Sequence, residues 1–201
     1  MVHSLLLSTG AIVGIVIGVV VVLLAVAVIG WWISTRNAFV VLKNKVEEAW
    51  GTIDVYLQKR FDLIPNLVET VKGYAKHESE TLEKVVLARN VGVNARTADE
   101  KMQAANNLSS SLSTLFTAVS ESYPELHANS NFRDLQAQLQ KIEGELEGAR
   151  RYYNGVVKSF NTKLEVFPSN LVANGMGEDY KKRAYFELTS VDARQNVKVQ
   201  F

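Results

Sequence analysis

No cysteine occurs among the 201 residues, which removes a disulfide framework, a thiolate metal site and a cysteine nucleophile together. Proline is nearly as scarce: Pro65, Pro124 and Pro168 are the only three, so long uninterrupted helices are permitted. The only histidines are His3, His77 and His127. His77-Glu78-Ser79-Glu80 has a superficial likeness to a metalloprotease helix, but position 81 is Thr and the second histidine of H-E-x-x-H is missing. A solvated helix face is the plainer reading. There is no Gly-rich phosphate loop and no G-x-S-x-G elbow. Net charge is only +1, with Lys and Arg interleaved among Asp and Glu, so the electrostatic footprint of a nucleic-acid binder is lacking. No tandem repeat is visible. These absences leave no catalytic residue, cofactor site, metal site or small-molecule substrate to nominate.

The most informative absence is local. Gly10 to Ile33 contains no charged side chain, and every Lys, Arg, Asp and Glu lies after it. About 20 apolar residues in a helix cross the hydrocarbon layer of a bilayer. The β-branched run would weaken a helix in water, but in lipid only a helix satisfies the backbone of a single span. Ala25-Val26-Ala27 resembles the small-x-small site of a cleavable signal peptide. Three features favour an uncleaved anchor instead: no Lys or Arg precedes the run, the run exceeds an ordinary signal core, and it continues past the candidate site. Arg36, Lys43 and Lys45 follow the span closely, so the positive-inside tendency predicts a cytoplasmic C-terminal bulk. Trp31 and Trp32 fit an aromatic belt at headgroup depth, beside Arg36. Gly10, Gly14 and Gly18 fall four apart and share one face, the spacing that lets two membrane helices pack closely. The plain alternative is that glycine is common in such helices.

The remaining chain is long enough for one soluble domain with a sizeable core. Phe39, Leu42, Val46, Ala49, Ile53 and Tyr56 form a heptad seam, and nothing separates Trp32 from Phe39 that would break a helix. Asp62 is a candidate N-cap for a second helix with Pro65 in its first turn; the alternative is one helix kinked at Pro65. Ile64, Leu67, Val71, Tyr74, Leu82 and Val85 continue the stripe, and 90–98 reads as a loop. Leu108, Leu112, Leu115 and Val119 mark a third helix ending near Tyr123-Pro124. Phe132, Leu135, Leu139, Ile142, Leu146, Ala149, Tyr153, Val156 and Phe160 mark a fourth over 131–164, which should stop before Pro168. A rod of about 50 Å needs neighbours of similar length, which predicts an elongated antiparallel bundle of about four long helices. Asn174-Gly175-Met176-Gly177 reads as a turn. Alternation over Val197, Val199 and Phe201 is a weak strand signal, with a disordered end as the alternative. The expected organisation is an all-α chain: an anchor over 1–36, the bundle over 37–168, and an irregular or short-strand tail over 169–201.

Two polar constellations stand out. Asp54, Arg60, Asp62 and Asn66 are dense where the first two soluble helices would meet, either as a partner surface or as a hydrogen-bonded corner between helices. Arg150, Arg151 and Asn154 sit beside Tyr152 and Tyr153 and could face a partner; because Tyr153 is on the seam, Arg151 and Tyr152 should lie outside it.

The chain resembles the LemA family of bacterial membrane proteins. The resemblance rests on 37–90, with Leu42-Lys43-Asn44-Lys45-Val46, then Ala49-Trp50-Gly51-Thr52-Ile53-Asp54-Val55. It continues through Arg60-Phe61-Asp62-Leu63-Ile64-Pro65-Asn66-Leu67-Val68 and Val71-Lys72-Gly73-Tyr74-Ala75-Lys76-His77-Glu78. A second block is Ala149-Arg150-Arg151-Tyr152-Tyr153-Asn154, followed by Phe160-Asn161 and Phe167-Pro168-Ser169-Asn170. The resemblance implies a short N-terminal anchor, a long-helix bundle and no known enzymatic activity. The segment 175–183 is more polar than the family's apolar stretch there. Together these readings point to a non-enzymatic scaffold at the bacterial cytoplasmic membrane, with the lipid bilayer and further copies of itself as partners. The alternative is an adaptor that presents other proteins to a membrane complex such as a protease.

Overall fold

The computed structural model describes residues 9–74 and 79–187. His3, His77 and the alternation over Val197 to Phe201 lie outside the described residues. Every regular element described is helical: α1 (Thr9–Lys72), α2 (Ser79–Asn94), α3 (Ala98–Ser122), α4 (Pro124–Ala128), α5 (Ser130–Glu165) and α6 (Ser169–Ala173), then a 3-10 turn at Glu178–Tyr180.

The apolar run does pass directly into the first soluble helix, because α1 continues for 64 residues. Asp62 is therefore not an N-cap; it lies mid-helix, where its Oδ1 accepts from Gln58 Nε2 at 2.8 Å. Pro65 sits inside α1. Its ring removes the N–H that would bond the Phe61 carbonyl four residues back. That carbonyl instead accepts from Arg89 Nε of α2 at 3.4 Å. Gly92 lets α2 lie close at the same place: a Cβ there would come within 2.4 Å of Phe61 Cζ. The glycine in the stretch read as a loop thus serves a helix contact, and α2 extends to Asn94.

The turn into α3 is set by a capping box. Thr97 Oγ1 accepts from Glu100 N, and Glu100 Oε2 accepts from the backbone N–H of Thr97 and of Arg96. These hydrogen bonds hold the Glu100 carboxyl below its ordinary range. Pro124 then opens the short α4, which buries Leu126, and Asn129 Oδ1 accepts from Phe132 N at the start of α5. The ends of α5 agree with the periodicity to within a residue.

The chain divides into two compact units, Met1–Asn44 with Ser159–Lys182, and Lys45–Lys158 with Arg183–Phe201. In the first, α1 is uncovered from Ile12 to Ile33, then Thr35 and Phe39 are buried. Phe39 meets Phe160 edge-on at 6.5 Å and Tyr180 at 6.4 Å, with Lys163 Nζ 5.7 Å from its ring centre. Lys43 Nζ is 2.9 Å from Asp179. Ser169 Oγ lies 2.7 Å from the Lys163 carbonyl and 3.0 Å from that of Val166, at the end of α5, and Phe167-Pro168 is a cis peptide.

In the second unit the core draws on several helices. Ile53, Leu57 and Ile64 come from α1, Val85 from α2, Leu108 and Leu115 from α3, and Phe132 and Leu146 from α5. Trp50 meets Tyr153 at 5.8 Å and Phe116 meets Phe132 at 6.0 Å. The buried line of α5 drifts from the heptad seam, taking Arg150 and Val157 rather than Ala149 and Val156. A straight helix turns every 3.6 residues, so a strict 3.5-residue seam precesses around it.

Candidate functional site

The densest chemistry lies in the second unit, where helical positions carry charge into the core. Arg60 of α1 and Arg150 of α5 are 4% and 5% exposed. Both converge on Glu143: Arg60 Nη1 is 2.6 Å from its Oε2, and Arg150 Nη1 is 3.3 Å from its Oε1. Arg60 Nη1 also donates to Ser109 Oγ of α3 at 2.9 Å. Burial depresses both guanidinium groups, with Glu143 opposing that and Arg150 adding to it at Arg60. Arg60 Nε and Arg150 Nε and Nη2 are buried without a hydrogen-bond acceptor among the described residues. One face of Arg150 is taken up differently, by the Phe186 ring 4.3 Å from its guanidinium carbon.

Phe186 belongs to an extended strap, 183–187, clasped by side chains of α3 and α5. Asn154 brackets its backbone from both sides: Nδ2 donates to Phe186 O at 3.0 Å, and Oδ1 accepts from Phe186 N at 2.8 Å. Tyr153 Oη donates to Ala184 O at 3.1 Å, and Asn106 Nδ2 donates to Glu187 O at 3.0 Å. Burial raises the Tyr153 phenol above its usual range. The clasp holds the strap by its backbone at Ala184, Phe186 and Glu187, and the Phe186 side chain is buried. A cleft of about 480 Å³ adjoins the strap, lined in part by Met102, Gln103 and Tyr185.

The four-residue constellation expected on the first soluble helices lies wholly on α1, but its members diverge. Asp54 pairs with Lys101 of α3, and Arg60 points into the core. Asp62 and Asn66, four apart, share an exposed face. Arg151 is exposed and pairs with Glu147 at 2.5 Å one turn back, and Tyr152 is 55% exposed. Arg150 and Asn154, whose direction the sequence left open, are turned to Glu143 and the strap. Gly10, Gly14, Gly18, Trp31, Trp32 and Arg36 are all exposed on α1, with nothing within 4 Å of a Cβ added at Gly14 or Gly18. The two indoles meet edge-on at 6.4 Å. Glu143, Ser109 and Phe186 carried no sequence signal as site residues. Thr97-x-x-Glu100 did carry one, as a capping box.

Residues 49–201 match the sequence model of the LemA family. The chain belongs to the LemA family. Protein LemA of Metamycoplasma hominis is 24% identical over 165 residues, which are 80% of this chain and 73% of that relative. Magnetosome proteins MamQ 1 and MamQ 2 of Paramagnetospirillum magneticum are each 22% identical over 194 residues, 84% of this chain and 71% of theirs. The LemA match covers the ion cluster and the strap, and begins within α1 at Ala49. N-terminal to that lies the one stretch, among the described residues, long and apolar enough to cross a membrane.

Proposed function

We propose that this LemA-family chain is a non-enzymatic, single-pass scaffold of the bacterial cytoplasmic membrane that self-associates and organises or shapes the bilayer around it. The observation that carries this reading is the long α1, whose first 25 or so residues are apolar and uncovered, with Gly10 exposed and open space at Gly14 and Gly18 on the same face. An apolar helix of that length has no stable place in water, and a glycine face invites a second helix of the same kind. The soluble helices form an elongated antiparallel bundle in this reading. Supporting it, α5 partners fall in number as α1 partners rise, from Trp50 with Tyr153 through Tyr56 with Glu145 to Arg60 with Glu143. The cytoplasmic orientation in this reading is supported by Arg36, Lys43 and Lys45, which follow the span closely.

Light scattering on detergent-extracted full-length protein tests self-association. An oligomer that loses mass on Gly14→Leu supports the scaffold, whereas a monomer refutes it. An adaptor for other membrane proteins is the second reading, favoured by the exposed Arg151 and Tyr152 beside the strap region. Crosslinking from Tyr152→Cys separates the two: self-crosslinks support the scaffold and a reproducible foreign protein supports the adaptor.

A further inference from the structure

In the first unit, the end of α5 and the turn that follows carry an apolar tip that nothing described covers. Phe167 is 78% exposed, more than any other large apolar residue described, and Val166 and Leu171 beside it are 48% and 53% exposed. From Val166 to Gly177 there is no charged side chain. An exposed phenylalanine between valine and leucine in a charge-free turn is unfavourable in water, where a few polar substitutions would remove the exposure.

The turn is nevertheless built to a definite shape. Ser169 Oγ holds the Lys163 and Val166 carbonyls, Val172 and Ala173 of α6 are buried, and Lys182 pairs with Glu165. Its apolar side chains are therefore presented outward from a packed base.

Register says where. Phe160 of α5 packs on Phe39 of α1, and Thr35, one turn closer to the span, is buried as well. Seven residues separate Phe39 from Trp32, and seven separate Phe160 from Phe167. At about 1.5 Å per helical residue, the α1 stretch covers roughly 10 Å, and α5 runs five residues beyond Phe160 to Glu165, roughly 8 Å, before the turn that carries Phe167. The tip thus extends from the Phe39 contact toward the end of α1 that carries Trp31 and Trp32, the residues suited to the headgroup boundary.

We propose that the Val166, Phe167 and Leu171 tip is a second membrane contact, inserted into the lipid interface beside the span and fixing how deeply this unit sits. The occupant is the bilayer rather than a protein, because the tip extends toward the end of α1 where the same unit's helix leaves the hydrocarbon. Apolar faces that lie in the interface reach about 5–10 Å into that boundary, the depth known for amphipathic helices. The inference rests on the anchor reading above.

The absence of cysteine makes a direct test available. Full-length protein carrying Phe167→Cys, Leu171→Cys, Ile29→Cys or Val91→Cys is spin-labelled and reconstituted into phosphatidylcholine–phosphatidylglycerol vesicles. Collision with oxygen and with a water-soluble nickel chelate is then measured, with circular dichroism confirming that each variant folds. Labels at 167 and 171 should collide with the chelate several-fold less than the label at exposed Val91, and with oxygen several-fold more, approaching Ile29. If 167 and 171 behave like 91 while 29 is lipid-shielded, the tip is aqueous and the proposal fails alone. Exclusion of both reagents at 167 means a protein contact and also overturns it. If 29 is open to the chelate, the anchor reading fails and takes the tip with it.

Discussion

Replacing Glu143 by Gln should unbalance the core of the second unit. The change keeps the shape of the side chain and removes the one carboxylate, among the described residues, within ion-pair distance of both Arg60 and Arg150. The two arginine side chains are 5% and 6% exposed, so each would keep its charge with little water to replace the lost partner. Removing one partner of a fully buried pair costs about 3–5 kcal/mol. Glu143 itself is 37% exposed, which lets solvent screen the pair and lowers the expectation to roughly 2–3 kcal/mol. Urea unfolding of full-length protein in detergent micelles, followed by far-UV circular dichroism, should show a lower midpoint with an unchanged slope. The triple change Arg60→Met, Glu143→Leu and Arg150→Met should recover stability to within about 1 kcal/mol of the parent, because replacing a whole buried ion cluster by apolar side chains is often neutral or stabilising. A loss below about 0.5 kcal/mol for Glu143→Gln, the scale of an exposed pair, would refute the reasoning.

Two further outcomes follow from the same helices. Gly92→Ala should destabilise by about 1–2 kcal/mol, since overpacking against Phe61 outweighs the roughly 1 kcal/mol that alanine adds in a helix; Phe61→Leu in the same chain should restore it, as denaturant midpoints would show. The contribution of Glu100 to the α3 start is present above the ordinary carboxylate pKa and lost as pH falls through its depressed folded value. Hydrogen exchange in the first turn of α3 should therefore accelerate in acid beyond the intrinsic rate. Glu100→Gln should remove that pH dependence, and an unchanged profile in the variant would contradict the assignment.

The second unit shows where sequence patterning stopped being sufficient. The seams of α1 and α5 were legible because apolar side chains recur every three or four residues, and the ends of α5 because proline lies just beyond one of them. Asp62 and Pro65 left the local reading open between a new helix start and one helix running through Pro65, and α1 is the single helix. They form a legitimate helix start by type and spacing, whereas in the fold α1 continues and the Phe61 carbonyl that Pro65 leaves without its helical donor accepts from Arg89 of α2. Gly92 was read as a loop former, whereas its missing Cβ makes room for Phe61. Both contacts involve a neighbour distant along the chain, which no local pattern contains.

What the sequence determined by itself are the properties set by one segment at a time: an uncharged run long enough to span a bilayer, helices with one apolar stripe, and membership of the LemA family through its own residue blocks. What only the tertiary structure decided is where the exceptions point. Arg60 and Arg150 look like surface charges until α1 and α5 meet over Glu143, and Asn154 looks like any polar helix residue until the strap arrives to be clasped. The physical reason is that apolar burial follows from a residue's own chemistry. The direction of a buried charge or amide depends on the partner that offsets its desolvation, and that partner is chosen by the fold.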